Sequence, residues 1–119
     1  MITQLLTDQR AIIRSGDIYR DYIYVKEIGS IITKLINSEF NGPVNIGTGI
    51  PMKIMDIVNQ IGSVMGKQEL IQFTSGKHDP YKVVIANTEV LHTKLGYKTR
   101  ADFGLALNET IEYWKSQLI

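Results

Sequence analysis

Tyr22 and Lys26, within the stretch DYIYVKEI at 21–28, stand four residues apart. On one turn of a helix that spacing sets a phenol beside an ammonium, which lowers the phenol's pKa and makes it a proton shuttle. The chemistry requires a helix. Tyr22-Ile23-Tyr24-Val25 alternates aromatic and β-branched residues, the pattern of a strand over about 22–25. In a strand, positions i and i+4 lie roughly 13 Å apart at ~3.3 Å per residue, so the spacing reads as coincidence. Arg20 is the stronger candidate. It falls between a turn and the aromatic-rich stretch, and its planar, permanently charged fork suits bidentate phosphate recognition; the competing reading is a surface ion pair, with Asp21 or another acid.

Lys77, His78 and Asp79 share the polar, turn-rich segment TSGKHDPYK at 74–82, either placed to contact a ligand or simply solvated. Gly47-Thr48-Gly49 lies between an apolar strand and a helix, the context of the dinucleotide fingerprint G-x-G-x-x-G. Its third glycine position holds Met52, however, and Glu69, the acid about twenty residues on, precedes the next strand instead of ending it; a plain turn is expected. GSVMGK at 62–67 is one residue short of a phosphate loop and lies at a helix C-terminus, where the dipole disfavours anions. His78 and His92 are too few and too far apart for a metal site, and His92 is expected to be exposed. Tyr113 and Trp114 are expected to pack at the edge of the core.

The elements that position these residues follow from periodicity. Residues 2 to 8 carry a short apolar set, the end of a helix, and Ala11 to Arg14 read as a strand closed by the turn SGD. Ile28, Ile31, Ile32, Leu35 and Ile36 recur at helical spacing, predicting an amphipathic helix that ends near Asn37. Val44-Asn45-Ile46 reads as a short strand. Pro51 is placed to open the next helix, whose stripe is Ile54, Ile57, Val58, Ile61, Val64 and Met65, with Gly66 as its stop. Leu70 to Phe73 reads as a strand and Val83 to Ile85 as a short extended piece. Asn87 is placed to cap a short helix bearing Leu91 and Leu95, stopped by Gly96. Asp102 is placed to cap a last helix with Phe103, Leu107, Ile111 and Trp114 on one face. The order is α/β, yet the first strands arrive without a long βαβ series, as at the end of something longer.

A chain of 119 residues, 44% hydrophobic and 21% charged with net charge +1, amounts to one domain or less. Its near-neutral balance carries no basic stripe, which favours a small molecule or a protein as partner over nucleic acid or a membrane surface. Cysteine is absent, which excludes disulfides, thiolate catalysis and Cys-ligated zinc. No apolar run approaches a membrane span or a signal peptide, so a cytoplasmic location is expected.

Four segments then fall in a recognisable order. RDYIYVKEI resembles the Arg-Asp-Phe/Tyr-x-x-Val-x-Asp segment of the extended short-chain dehydrogenase/reductases, the NAD-dependent sugar-nucleotide epimerases and dehydratases. GPVNIGTGIPMKIMDIV is similar to their Tyr-Asn-Ile-Gly-Ser/Thr-Gly strand and following helix. IANTEVLHTKLGY is similar to their Ala-Asp-x-Ser-Lys-x-x-x-x-Leu-Gly-Trp/Tyr, and FGLALNETIEYW to their closing helix. Glu27 and Asn87 stand where the family usually has Asp. The resemblance covers roughly residues 10 to 115. It implies that 1–119 is the C-terminal, substrate-binding portion of an incomplete Rossmann-type fold, with the N-terminal nucleotide-binding part, the catalytic Ser/Thr and the true Tyr-x-x-x-Lys upstream. It further implies that Arg20 grips the diphosphate of a nucleotide-sugar with Tyr22 nearby, and that Lys77 and Asp79 are the nearest equivalents of a phosphate-binding Arg and a ribose-binding acid. NAD or NADP would serve the complete enzyme and none would be bound by this segment alone. The expectation is a nucleotide-sugar-binding segment without catalytic residues and inactive in isolation. The alternative is a self-associating interaction module, with a homo-oligomer as its signature.

Overall fold

A computed structural model describes residues 1–76 and 80–118. Apolar side chains at helical spacing dictate its main packing. In α3 (Ile54–Met65) Ile57, Val58 and Ile61 turn inward, and in α5 (Phe103–Gln117) Leu107 and Ile111 do the same. With Leu5 of α1 (Ile2–Leu6) and Ala11 of β1 (Ala11–Ile13), residues of α3 and α5 close one core; Leu5 and Ala11 are fully buried. A second, smaller cluster gathers Ile31 of α2 (Val25–Ile36) with Leu91 and Leu95, in and just after α4 (Glu89–Thr93). Two small cores leave a thin body, 50 × 38 × 18 Å, with a radius of gyration of 16.6 Å, against about 13.5 Å for a compact chain of this length.

The strands are short and form two sheets. β1 pairs in parallel with β4 (Ile71–Phe73), Ala11 opposite Ile71. In the other sheet β2 (Tyr19–Arg20) is central, antiparallel to β3 (Met52–Lys53) and parallel to β5 (Val83–Val84). Three sequence expectations change here. The strand expected at 22–25 is two residues at 19–20, and the helix already begins at Val25 after an extended Tyr24, whose carbonyl accepts from the amides of Glu27 and Ile28. Pro51 does not open α3. The chain first pairs as β3, and the first helical amides, Ile54 and Met55, donate to the carbonyls of Ile18 and Gly16 at 3.0 and 2.9 Å, so the pairing continues into the helix start. Val44–Ile46 is not a strand: no backbone neighbour pairs with it among the described residues, although Val44 and Ile46 pack on the second core.

The helix stops are as expected. Gly66 and Gly96 take left-handed φ of 63° and 59°, and the Asp102 carboxylate accepts from the Leu105 amide at 3.0 Å. Asn87 contributes Oδ1 to the Glu89 amide, with Thr88 at the helix boundary. The α2 stripe is only half used. Ile31 is buried, whereas Ile32 and Ile36 are 43% and 76% exposed and Val25 joins them at 70%. Trp114 lies beyond the covered part of α5, exposed and edge-on to Tyr113, and His92 is half-buried instead of exposed.

Glu27 sits in the first turn of α2, where the helix dipole favours a carboxylate, and it is buried. Its Oε1 accepts from the Tyr97 hydroxyl at 3.1 Å and the Arg100 amide at 2.6 Å, which ties the 97–100 loop to α2. Burial first, and then the bond to Glu27, raise the Tyr97 phenol above its ordinary pKa. Truncation would strand two donors and empty a tightly enclosed site, so Glu27→Ala is expected to destabilise the chain by about 1–3 kcal/mol in urea unfolding. An unchanged midpoint would contradict this anchoring.

Candidate functional site

Asp21 organises the polar centre. Its Oδ1 accepts from the Thr48 amide and hydroxyl at 2.9 and 2.5 Å, and its Oδ2 from the amides of Gly49 and Ala86 at 2.9 and 3.2 Å. A carboxylate has about four such acceptor sites, and here all four are filled. Burial alone would raise the Asp21 pKa, but the donors from Thr48, Gly49 and Ala86 outweigh it and hold the carboxyl below its ordinary value. Gly47 is required at the crossing. A Cβ there would stand 2.5 Å from the Ala86 Cβ and 2.6 Å from the Asp21 Oδ2. The Gly47-Thr48-Gly49 turn thus spends the amides of Thr48 and Gly49 on Asp21, and they are not left for a dinucleotide's phosphates. The turn is a plain one, as expected from the sequence.

Arg20 extends from the end of β2 into a cleft of about 360 Å³ that Asp21, Asn45, Val84, Ala86 and Asn87 help to line. Its Nη1 donates to the carbonyls of Tyr19 and Tyr81 at 2.7 and 3.0 Å, which fixes the guanidinium plane against β5. The alternative Arg20–Asp21 ion pair does not form, since Asp21 is committed to backbone and hydroxyl donors. The Asn45 amide donates to the Asn87 carbonyl at 3.2 Å, closing the cleft's far side. Tyr22 is 41% exposed, two residues along the same extended segment, and is not part of the cleft lining. Lys77 and Asp79, with His78, lie outside the described residues. Sequence reasoning found Arg20 but missed the role of Asp21 and the cleft residues Asn45 and Val84, whose partners lie far away along the chain.

At the other end of the same strands Asp17 accepts ion pairs from Lys53 at 2.8 Å and Lys82 at 3.0 Å. The bond to Lys53, then that to Lys82, bring its pKa to about 2. Lys26 belongs to another assembly. Its Nζ meets Glu109 of α5 at 2.5 Å, and Glu109 also accepts from the Tyr24 hydroxyl. That bond is the chief cause that raises the Tyr24 phenol above its ordinary pKa, opposite to what a proton shuttle needs. No group of three or more His, Asp or Glu side chains among the described residues has metal-binding geometry, and no described helix is long and apolar enough to cross a membrane.

No protein-family model matches the chain. UDP-glucuronic acid decarboxylase 1 of Danio rerio is 26% identical over 104 residues, covering 87% of this chain and 25% of the relative. The Xenopus tropicalis protein of that name is 25% identical over 118 residues, covering 99% and 28%. Among solved structures, UDP-glucose 4-epimerase of Thermotoga maritima with UDP-glucose superposes with a TM-score of 0.88 at 20% identity, over 99% of this chain and 38% of that one. UDP-N-acetylglucosamine 4-epimerase of Methanobrevibacter ruminantium, in complex with UDP-N-acetylmuramic acid, gives 0.86 at 28% identity, over 98% and 38%. The fold is that of a segment of the extended short-chain dehydrogenase/reductases. In sequence as well as fold the chain is similar to part of their NAD-dependent sugar-nucleotide epimerases and dehydratases, and it spans about a quarter of the curated relatives' length.

Because its folded pKa is depressed, Asp21 contributes stability that is present above the unfolded carboxyl value of about 3.9 and is lost as pH falls through the folded value. Asp21→Asn replaces one acceptor oxygen with a donor and is expected to cost about 1–3 kcal/mol at pH 7. Urea midpoints for the two proteins should converge as pH falls below the unfolded carboxyl value and through the depressed folded one. A constant gap across that range would show that the charge of Asp21 is not what holds the turn.

Proposed function

We propose that this chain is the nucleotide-sugar-binding part of an NAD(P)-dependent sugar-nucleotide epimerase, dehydratase or reductase, and that Arg20 holds the ligand's diphosphate. The observation that carries the reading is the placement of a guanidinium, fixed by two carbonyls, in a cleft stitched together by Asp21. A charged fork in a walled, partly desolvated cleft suits phosphate oxygens better than water does. Tyr22, two residues beyond Arg20, would flank the phosphates, and Lys77 and Asp79 would add a cation and an acid to the same ligand. Two fold neighbours support the ligand class: one was solved with UDP-glucose and another with UDP-glucose and NAD. The structure of a dTDP-glucose 4,6-dehydratase also contains NAD.

In this reading the nicotinamide supplies the hydride chemistry, and residues outside 1–119 hold it and move the proton. Within the chain Arg20 binds and Asp21 positions. Lys26, tied to Glu109, is not available to Tyr22. The purified chain is therefore expected to bind without turnover, and epimerisation or decarboxylation by it alone would refute the division of labour. The self-associating module has one observation in its favour, the exposed stripe Val25, Ile32 and Ile36 on α2; sedimentation at increasing concentration distinguishes it.

Calorimetry with UDP-glucose tests the binding claim. Arg20→Ala is expected to weaken affinity by about 1.5–3 kcal/mol, the worth of a charge-assisted hydrogen bond. Arg20→Lys should recover part of it, since charge is kept and the fork lost. Equal affinity for all three proteins would remove Arg20 from the site.

A further inference from the structure

Two enclosed oxygens have no hydrogen-bond partner among the described residues, Oε2 of Glu27 and Oγ1 of Thr99. Glu27 is 7% exposed, and its other oxygen, Oε1, is the one taken by the Tyr97 hydroxyl and the Arg100 amide. No lysine, arginine or histidine forms an ion pair with it among the described residues. Thr99 directly precedes Arg100, so the bond from the Arg100 amide holds its backbone beside the same carboxylate. An enclosed polar atom without a bond costs free energy, and a charged one costs more. Folded chains leave few such atoms. Here both belong to one anchoring point.

That point lies on the chain between the two cores. Tyr97 packs on the second core, with Leu91 and Leu95. Beyond it α5 begins at Phe103 and carries Leu107 and Ile111 into the first core. The intervening segment is fastened to α2 by Glu27. A buried polar anchor holds best when every one of its atoms is bonded, because a half-satisfied network is worse than an apolar contact.

We propose that this joint binds one internal water molecule, which donates a hydrogen bond to Glu27 Oε2 and accepts one from the Thr99 hydroxyl. Water fits the available groups. It both donates and accepts, and it needs only about two to four polar partners. A hard cation such as calcium takes about six to eight oxygens, and the joint offers the oxygens of one carboxylate and one hydroxyl. The water supplies the second carboxylate oxygen with a donor and brings Thr99 into the anchor. Thr99 thereby positions the 97–100 loop through Glu27, a role that its sequence surroundings do not announce.

Urea unfolding of Thr99→Val and Thr99→Ser gives the first readout, because the two outcomes differ in sign. Valine keeps the shape of threonine and removes the hydroxyl. With the water in place, that loss is expected to raise the unfolding equilibrium constant by roughly three- to tenfold, and Thr99→Ser should stay near the parent. If the hydroxyl has no bond, removing it leaves stability unchanged or improved, and the proposal is overturned. Oxygen-17 relaxation dispersion of the solvent then counts long-lived waters directly. The parent and Thr99→Ser are expected to hold one more than Thr99→Val; an equal count in all three overturns the proposal. Thr99→Ala takes the place of valine in this count if the valine protein does not fold. Unfolding repeated in sodium, potassium and choline chloride at equal ionic strength should give one midpoint. A midpoint that depends on the alkali cation would make the occupant a metal ion and overturn the water.

Discussion

Four hydrogen bonds to the Asp21 carboxylate hold the working face of this chain together. They reach across 27, 28 and 65 residues of sequence, to Thr48, Gly49 and Ala86. Three of the donors are backbone amides that would otherwise be left unpaired in a partly buried crossing, at a cost comparable to a lost hydrogen bond each. The price of leaving them unmet explains why an acid, rather than a neutral acceptor, occupies this position. The same carboxylate lies next to Arg20 in the chain, so fixing one fixes where the other emerges. The cleft is held because the 48–49 turn and the segment that follows β5 share one acceptor on the chain leaving β2.

This matters more in a thin body than in a compact one. With two small cores and sheets of two and three short strands, little of the structure is held by burial alone. Specific polar ties take up the task. Glu27 anchors the 97–100 loop, Asp17 clasps Lys53 and Lys82 across the central sheet, and Glu109 joins α5 to the start of α2. Carboxylates recur in each tie because, ionised, they accept several donors at once.

The helices and their ends were legible in the sequence, because a buried stripe, a capping Asp102 and left-handed Gly66 and Gly96 are local signals. The strands were less so. Two-residue strands such as Tyr19–Arg20 and Met52–Lys53 are defined by their neighbours and not by their own pattern. The alternation at 22–25 lost to the helix beginning at Val25, and Val44–Ile46 remained extended without a partner strand. Within the site, Arg20 was visible from its chemistry. The role of Asp21 was not legible, because adjacency to Arg20 is evident in one dimension and a contact across 65 residues is not.

The similarity to sugar-nucleotide epimerases, dehydratases and decarboxylases is one of fold and of modest sequence identity over part of those proteins. The physical case for ligand binding therefore rests on the cleft itself. A crystal structure of the chain grown with UDP-glucose addresses that case most directly. The account predicts a diphosphate within hydrogen-bonding distance of the Arg20 guanidinium, with the Asp21 ties to Thr48, Gly49 and Ala86 intact. A diphosphate bound elsewhere, or an Arg20 side chain turned out of the cleft in the complex, would contradict it.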